Sequence, residues 1–216
     1  MINTALHWVA ELAVVIRGLI FYLLSAIIST MRRFSASILE TVEVIVVALG
    51  AVFLIRSFLV QPFLVSGASM VPSFSQGDYL LVDELSYYFR EPQRGEVVVF
   101  HYPNDESTYF IKRIIGLPGE RAVVKDGKVI IINREYPEGK ILDEPYLPRD
   151  TATTGRPGGK TEFNLLANQY LVLGDNRSYS FDSRDWGVLA RKEIVGLTRL
   201  RLWPISGLTV FAAPRY

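Results

Sequence analysis

Apolar and polar residues follow three different rhythms along this chain, and each predicts a different kind of element. Residues 5–31 are mostly apolar but interrupted by His7, Glu11 and Arg17. That is a weak spanning signal, equally suited to lying in a membrane interface. Arg32 and Arg33 follow at once, and a second apolar run extends from Val42 to Pro62, interrupted by Glu43, Arg56 and Gln61. Its uncharged stretch from Val44 to Ile55 predicts a transmembrane helix over about 42–61, with Arg56 placed to snorkel toward the interface. A cleavable signal peptide over residues 1–31 is the rival reading. The charges inside that run and the second run behind it argue against it. From Asp78 onward the helical period ends and short β-rich runs take over, punctuated by Gly, Pro and Asp. Strands are predicted at Tyr79–Val82, Glu96–Phe100, Tyr109–Ile115, Ala122–Lys125, Lys128–Ile132, Gln169–Leu173 and Ile194–Leu202, with Asp126-Gly127 as a hairpin turn. Residues 143–163, rich in Pro and Gly, read as a long, exposed, irregular connection. The fold class is therefore mostly β: membrane segments over 1–62 and a β-rich domain over 63–216.

Charge and composition narrow this picture. Arg32 and Arg33 in a short loop put that loop on the cytoplasmic side, so everything after Pro62 lies outside. A net charge of +1 carries no basic footprint for nucleic acid. The absence of cysteine excludes thiol nucleophiles, disulfides and zinc–thiolate sites together. With only His7 and His101 in the chain, a Ser-His-Asp triad would have to use His101.

Three stretches carry candidate chemistry. In Phe63–Pro72, Ser69 follows Gly67-Ala68 and precedes Pro72, a setting for an exposed hydroxyl beside free N–H groups or for a plain apolar-flanked turn. In Tyr109–Gly116, a period of two puts Phe110, Lys112 and Ile114 on one face and Ile111, Arg113 and Ile115 on the other. Lys112 is then either a buried amine with a lowered pKa, able to act as a base, or a lysine whose stem packs while its head reaches water. In Leu173–Gly187, Asp182 and Arg184 are spaced to brace a folded loop with an ion pair, and Ser180 is available to orient a nearby amine. Asp175, Asp182 and Asp185 lack the spacing of an EF-hand calcium loop, and no metal is predicted.

Several motifs occur together in one order: Arg56-Ser-Phe with Gln61-Pro-Phe, Gly67-Ala-Ser-Met-Val-Pro72, Gly77-Asp-Tyr-Leu-Leu-Val82, Arg94-Gly-Glu-Val-Val-Val-Phe100, Ile111-Lys-Arg-Ile-Ile-Gly-Leu-Pro-Gly119, and Gly174-Asp-Asn-Arg177 with Asp182-Ser-Arg184. Over residues 56–200 the chain thereby resembles the bacterial type I signal peptidases (leader peptidases), membrane-bound serine endopeptidases with a Ser-Lys dyad. The resemblance implies Ser69 as nucleophile, Lys112 as general base, Ser180 as the residue orienting the lysine, and Asp182 with Arg184 as a supporting pair. It also implies removal of signal peptides from exported preproteins, without cofactor or metal. The place implied is the outer face of the bacterial cytoplasmic (inner) membrane, with the lipid bilayer as partner, downstream of the translocation machinery. Secretory signals end in small residues of the A-x-A type, so shallow apolar subsites are expected, with Phe63, Val65, Phe74 and Ile111 as walls. One departure concerns the oxyanion hole. Some members carry a serine two positions before the nucleophile; here that position is Gly67, with Ser66 one residue earlier. Ser66 is therefore a candidate donor, and Gly67→Ser a change that restores a hydroxyl. The rivals are a self-cleaving repressor-type Ser-Lys protease and a non-catalytic membrane-anchored scaffold.

Overall fold

The structure is a computed structural model that describes Tyr22, residues 40–50, Val52 and residues 60–212. It divides into two compact units, Met1–Leu54 and Ile55–Tyr216. In the first, residues 40–50 are helical, and Val42, Val44, Ile45, Val46, Val47 and Leu49 are all exposed. Among the described residues no helix is long and apolar enough to cross a membrane. The predicted segment over 5–31, apart from Tyr22, and the Arg32, Arg33 and Arg56 signals lie outside the described residues. The predicted helix over 42–61 does not extend to its expected end, because a strand already begins at Val60.

The second unit consists of antiparallel strands in two sheets. The strands are β1 (Val60–Leu64), β2 (Tyr79–Asp83), β3 (Val97–Tyr102), β4 (Asp105–Gly116), β5 (Arg121–Lys125), β6 (Lys128–Ile132), β7 (Lys140–Ile141), β8 (Glu162–Asn164), β9 (Gln169–Leu173), β10 (Leu189–Ala190), β11 (Ile194–Trp203) and β12 (Thr209–Val210). The larger sheet runs β1-β2-β11-β3-β4-β9-β10, with β12 on β11, and the smaller runs β7-β6-β5-β8. β3 reads Val-Val-Val-Phe-His-Tyr and is buried over its first four residues, as a central strand covered on both faces should be. β5 and β6 alternate instead, burying Ala122, Val124, Val129 and Ile131 on one face, and are joined at Asp126-Gly127 with φ of 51° and 76°. That face packs with Phe163 against Ile115, Leu171 and Leu173 of the larger sheet. Burying each such side chain contributes roughly 1.5–3 kcal/mol.

The connection at 143–163 is mostly exposed, as its composition predicts, but it is fastened to the domain at particular points. Thr153 is buried and its N–H donates to Gly127 O at 2.7 Å, while Phe163 enters the core from β8. The cause is Arg177, whose buried guanidinium needs acceptors that no strand supplies. It finds them in this segment, pairing with Glu144 and donating to Thr153 Oγ1. Proline and glycine content shows that the segment is irregular, but not that an arginine distant in sequence will fasten it. Arg177→Ala should lower unfolding stability by about 3 kcal/mol and open residues 143–163 to limited proteolysis. An unchanged denaturation midpoint would show that the fastening is dispensable.

Candidate active site

Ser69 stands in a turn that the core holds from both ends. Before it, the β1–β2 ladder continues through Val65, whose N–H donates to Asp78 O and whose C=O accepts from Gly77 N, each at 2.9 Å. After it, Met70 and Phe74 are buried and linked by a Phe74 N–H to Met70 O bond of 2.9 Å. Between these anchors Ser66, Gly67 and Ala68 are exposed and Ser69 is half-buried. A hydroxyl is thus presented on a short arch with fixed feet.

β4 delivers the amine. Phe110, Lys112 and Ile114 share the face that packs on Phe100 and Val98, while Ile111 faces the cluster of Val65, Met70 and Leu80. Lys112 is 4% exposed, and its Nζ lies 2.9 Å from Ser69 Oγ and 2.9 Å from the carbonyl of Ile111, which accepts from it. The amine also sits 5.1 Å from the centre of the Phe110 ring. Burial lowers its pKa from 10.5 to about 8, with Asp182 and Asp175 opposing in part.

The loop after β9 forms the opposite wall and clamps the arch. The Asn176 N–H donates to Ser69 O and its Nδ2 to Ala68 O, both at 3.0 Å. A Cβ on Gly174 would lie 2.4 Å from Ser69 O and 2.2 Å from Ser180 Oγ, so only glycine lets the two backbones approach this closely. Asp182 accepts from Gly174 N at 3.0 Å and from Arg184 Nε and Nη2 at 2.8 Å each, with both partners fully buried. Burial pushes the Asp182 pKa up, but Arg184 and the Gly174 N–H more than offset this and hold it below its ordinary range. Asp175 is taken by Arg113, next to Lys112 in sequence, at 2.6 and 2.8 Å. Spacing already pointed to the Asp182–Arg184 pair. The Asn176 clamp and the Gly174 contact were missed, although both residues lie inside a motif that was noticed.

The remaining predicted residues divide. Ser180 is fully buried beside Asp182, but its Oγ makes no hydrogen bond of ordinary geometry, and the Lys112 amine is engaged by Ser69 and Ile111 instead. His101 is occupied elsewhere, its Nδ1 2.6 Å from Glu106 O and its ring on Tyr109. A cleft of about 310 Å³ opens over Ser69 and Lys112, and Phe63, Val65, Ser66 and Ile111 line it. Phe74 does not: it is fully buried beneath the arch among Met70, Leu80 and Val97, against the Phe211 ring. It fell on the apolar pattern as a wall because position along the chain does not distinguish the surface of a pocket from the core below it. The cleft adds Leu80, Val99, Tyr109, Phe110, Tyr179 and Phe181, which sequence reasoning did not reach.

A family model described as signal peptidase, peptidase S26, matches residues 38–203. The chain belongs to the peptidase S26 family of signal peptidases. It is a serine endopeptidase. Among similar sequences, the probable signal peptidase I-2 of Synechocystis is 38% identical over 76% of this chain and 71% of its own length. The signal peptidase I of Leptolyngbya laminosa is 35% identical over 79% and 80%, and signal peptidase IB of Staphylococcus aureus 34% over 78% and 91%. A signal peptidase I crystal structure from Enterococcus faecalis is 27% identical, with a TM-score of 0.39 over 50% of this chain and 97% of that one. For this S26 peptidase the Gly67 departure has a backbone cause. Gly67 has φ +94°, so Gly67→Ser meets open space but strains the backbone, and the substitution does not simply restore a donor.

Burial of Lys112 makes stability depend on pH with a definite sign. Between pH 8 and 10.5 the unfolded lysine is protonated while the folded one is losing its proton, so stability rises with pH across that window, by roughly 3 kcal/mol in full. Lys112→Met removes the titrating group. Its unfolding free energy should be at least that of wild type at pH 7, and should lack the rise above pH 8 that pH-dependent denaturation shows for wild type. A parallel pH dependence in both proteins would mean that Lys112 is not a desolvated amine.

Proposed function

We propose that this chain is a membrane-anchored signal peptidase in which Ser69 is the nucleophile and Lys112 the general base and acid. The observation that carries this reading is the 2.9 Å contact between Ser69 Oγ and a buried Lys112 amine whose pKa lies near 8. An amine with that pKa is neutral in a useful fraction of molecules near pH 7–8. As Oγ attacks the scissile carbonyl carbon, its proton passes to Nζ and the carbonyl oxygen becomes an oxyanion. The Ser69 N–H, which makes no backbone hydrogen bond among the described residues, is available to that oxyanion. Collapse breaks the C–N bond, the Nζ proton goes to the leaving amine, and an acyl-enzyme remains. Water then attacks the acyl carbon while giving a proton to the neutral Nζ; the C–Oγ bond breaks, Nζ returns the proton to Oγ, and the acid is released.

The shape of the cleft supports a substrate class. Buried Leu80 and Val99 close its floor, which suits small side chains such as those of the A-x-A type. An exported preprotein whose signal is already in the bilayer would reach such a cleft with its cleavage site just outside the membrane, provided the enzyme is anchored there. The exposed apolar helix at 40–50 supports an anchor, and the rest of the predicted spans over 5–31 and 42–61 would complete it. On this reading the β domain works on the outer face of the cytoplasmic membrane, downstream of translocation. A scaffold would have no use for a buried amine against a hydroxyl, since desolvating it costs stability.

Detergent-solubilised protein should cleave a preprotein with kcat/KM rising through an apparent pKa of about 8. Ser69→Ala and Lys112→Ala should abolish turnover, and Lys112→Arg should not restore it, because a guanidinium stays protonated. Ser66→Ala should change turnover by less than about tenfold, where loss of a true oxyanion donor costs on the order of a hundredfold or more. An active Lys112→Arg enzyme would sink the dyad. Topology has a separate check: protease added to spheroplasts should digest residues 63–216 and leave tags in the 32–40 loop intact. Digestion of the loop tags would reverse the orientation.

A further inference from the structure

β4 divides the cleft into two sides. One of its edges pairs with β3, but on the other β9 reaches only Arg113–Gly116, so along Tyr109–Lys112 that edge carries no strand among the described residues. Among the described residues β1, across the cleft, pairs only with β2. An extended peptide laid along the free edge would continue the sheet, and its alternate side chains would fall on opposite faces. On the Ile111 face lies a closed floor, with Val99 opposite Ile111 in register and Phe63 opposite Leu80. On the Phe110 face lies an open aromatic trough. The Phe181 ring is 6.4 Å from Phe110, and Tyr102 backs both at 4.8 Å from Phe110 and 5.9 Å from Phe181.

The loop that supplies Phe181 is built on the buried, ion-paired Asp175, Arg177, Asp182 and Arg184, yet Tyr179 is 82% and Phe181 51% exposed, and both line the cleft. Large aromatics held in water on a loop clamped by buried arginines are not needed for the packing of that loop, which points to a ligand. We propose that Phe110, Tyr179 and Phe181 form a specificity subsite for the second residue before the cleaved bond, the middle position of an A-x-A triplet. The subsite takes an aromatic or large aliphatic side chain there and disfavours a carboxylate. The assignment follows from alternation. The residue at the cleaved bond and the third before it share the closed Ile111 face, where only small groups fit, and the residue between them turns to the Phe110 face. A carboxylate there would meet the negative faces of the rings. The subsite deepens the peptidase reading and rests on it.

The test uses peptides with alanine at the first and third positions before the bond and Phe, Gly or Asp at the second. Wild type should favour Phe over Gly by about tenfold in kcat/KM, the scale of one apolar contact in a pocket, and disfavour Asp. In the Tyr179→Ser, Phe181→Ser double variant the Phe-to-Gly ratio should fall toward unity. Partial misfolding lowers all rates together and leaves that ratio in place. The same fluorescently labelled peptides are titrated onto Ser69→Ala, with and without the double change. If that protein discriminates Phe from Gly through Tyr179 and Phe181 while wild type cleaves none of the peptides, the subsite stands and the peptidase reading falls. A Phe-to-Gly ratio that survives the double change, in cleavage or in binding, overturns the subsite. So does a preference that appears instead at the residue next to the bond.

Discussion

An amine held away from water against a single hydroxyl is the constraint that organises this β domain. Lys112 reaches Ser69 across 43 residues of sequence, and the contact survives only because both backbones are fixed. β4 supplies one, as a strand buried between the clusters around Phe100 and Leu80, and the arch footed on Val65 and Met70 supplies the other. Burial lowers the pKa of the amine and is also costly, since an ammonium at that position is destabilised relative to water by roughly 3 kcal/mol. A residue selected for stability alone would be apolar here.

Around the Ser69–Lys112 contact lies ionic structure that does not itself touch the hydroxyl. Asp175–Arg113, Asp182–Arg184 and Glu144–Arg177 all converge on the loop after β9. Buried pairs of this kind contribute little net stability, but removing one partner is expensive, so they work as a frame that permits a single loop geometry. Within the frame the Gly174 backbone lies against the Ser69 carbonyl, and Asn176 bonds the carbonyls on both sides of the Ala68–Ser69 step. Of the carboxylates whose clustering raised calcium, Asp175 and Asp182 are paired with Arg113 and Arg184, and Asp185 accepts from the Asp182 N–H.

Sheet topology completes the site by leaving something undone. Among the described residues β9 stops short on β4 and β1 pairs with β2 alone, so strand edge is left unpaired along the cleft. Exposed edges invite aggregation unless they are short or occupied. Here the open edge is a few residues long, overhung by Tyr179 and Phe181. A short edge bounded by the Ser69 hydroxyl and an aromatic rim is suited to receiving one extended chain in one register.

Local rules were enough for much of this. Alternation along Tyr109–Gly116 placed Lys112 with Phe110 and Ile114 before any coordinates, because a strand has a period of two wherever it lies. Spacing suggested the Asp182–Arg184 brace, and Asp126-Gly127 announced its hairpin. Strands with clear β-branched runs were legible, whereas β1, hidden at the end of an apolar run, and the two- and three-residue strands β7, β8, β10 and β12 were not. They exist only because a longer neighbour offers hydrogen bonds. Tertiary structure alone decided that Phe74 is core and not cleft, that Arg177 fastens residues 143–163, and that Ser180 does not bond the lysine. It also decided that Gly67 sits where a serine would be strained. Each of these depends on which distant residue arrives at a given point in space, and a pattern read along one chain carries period and propensity but no such distances.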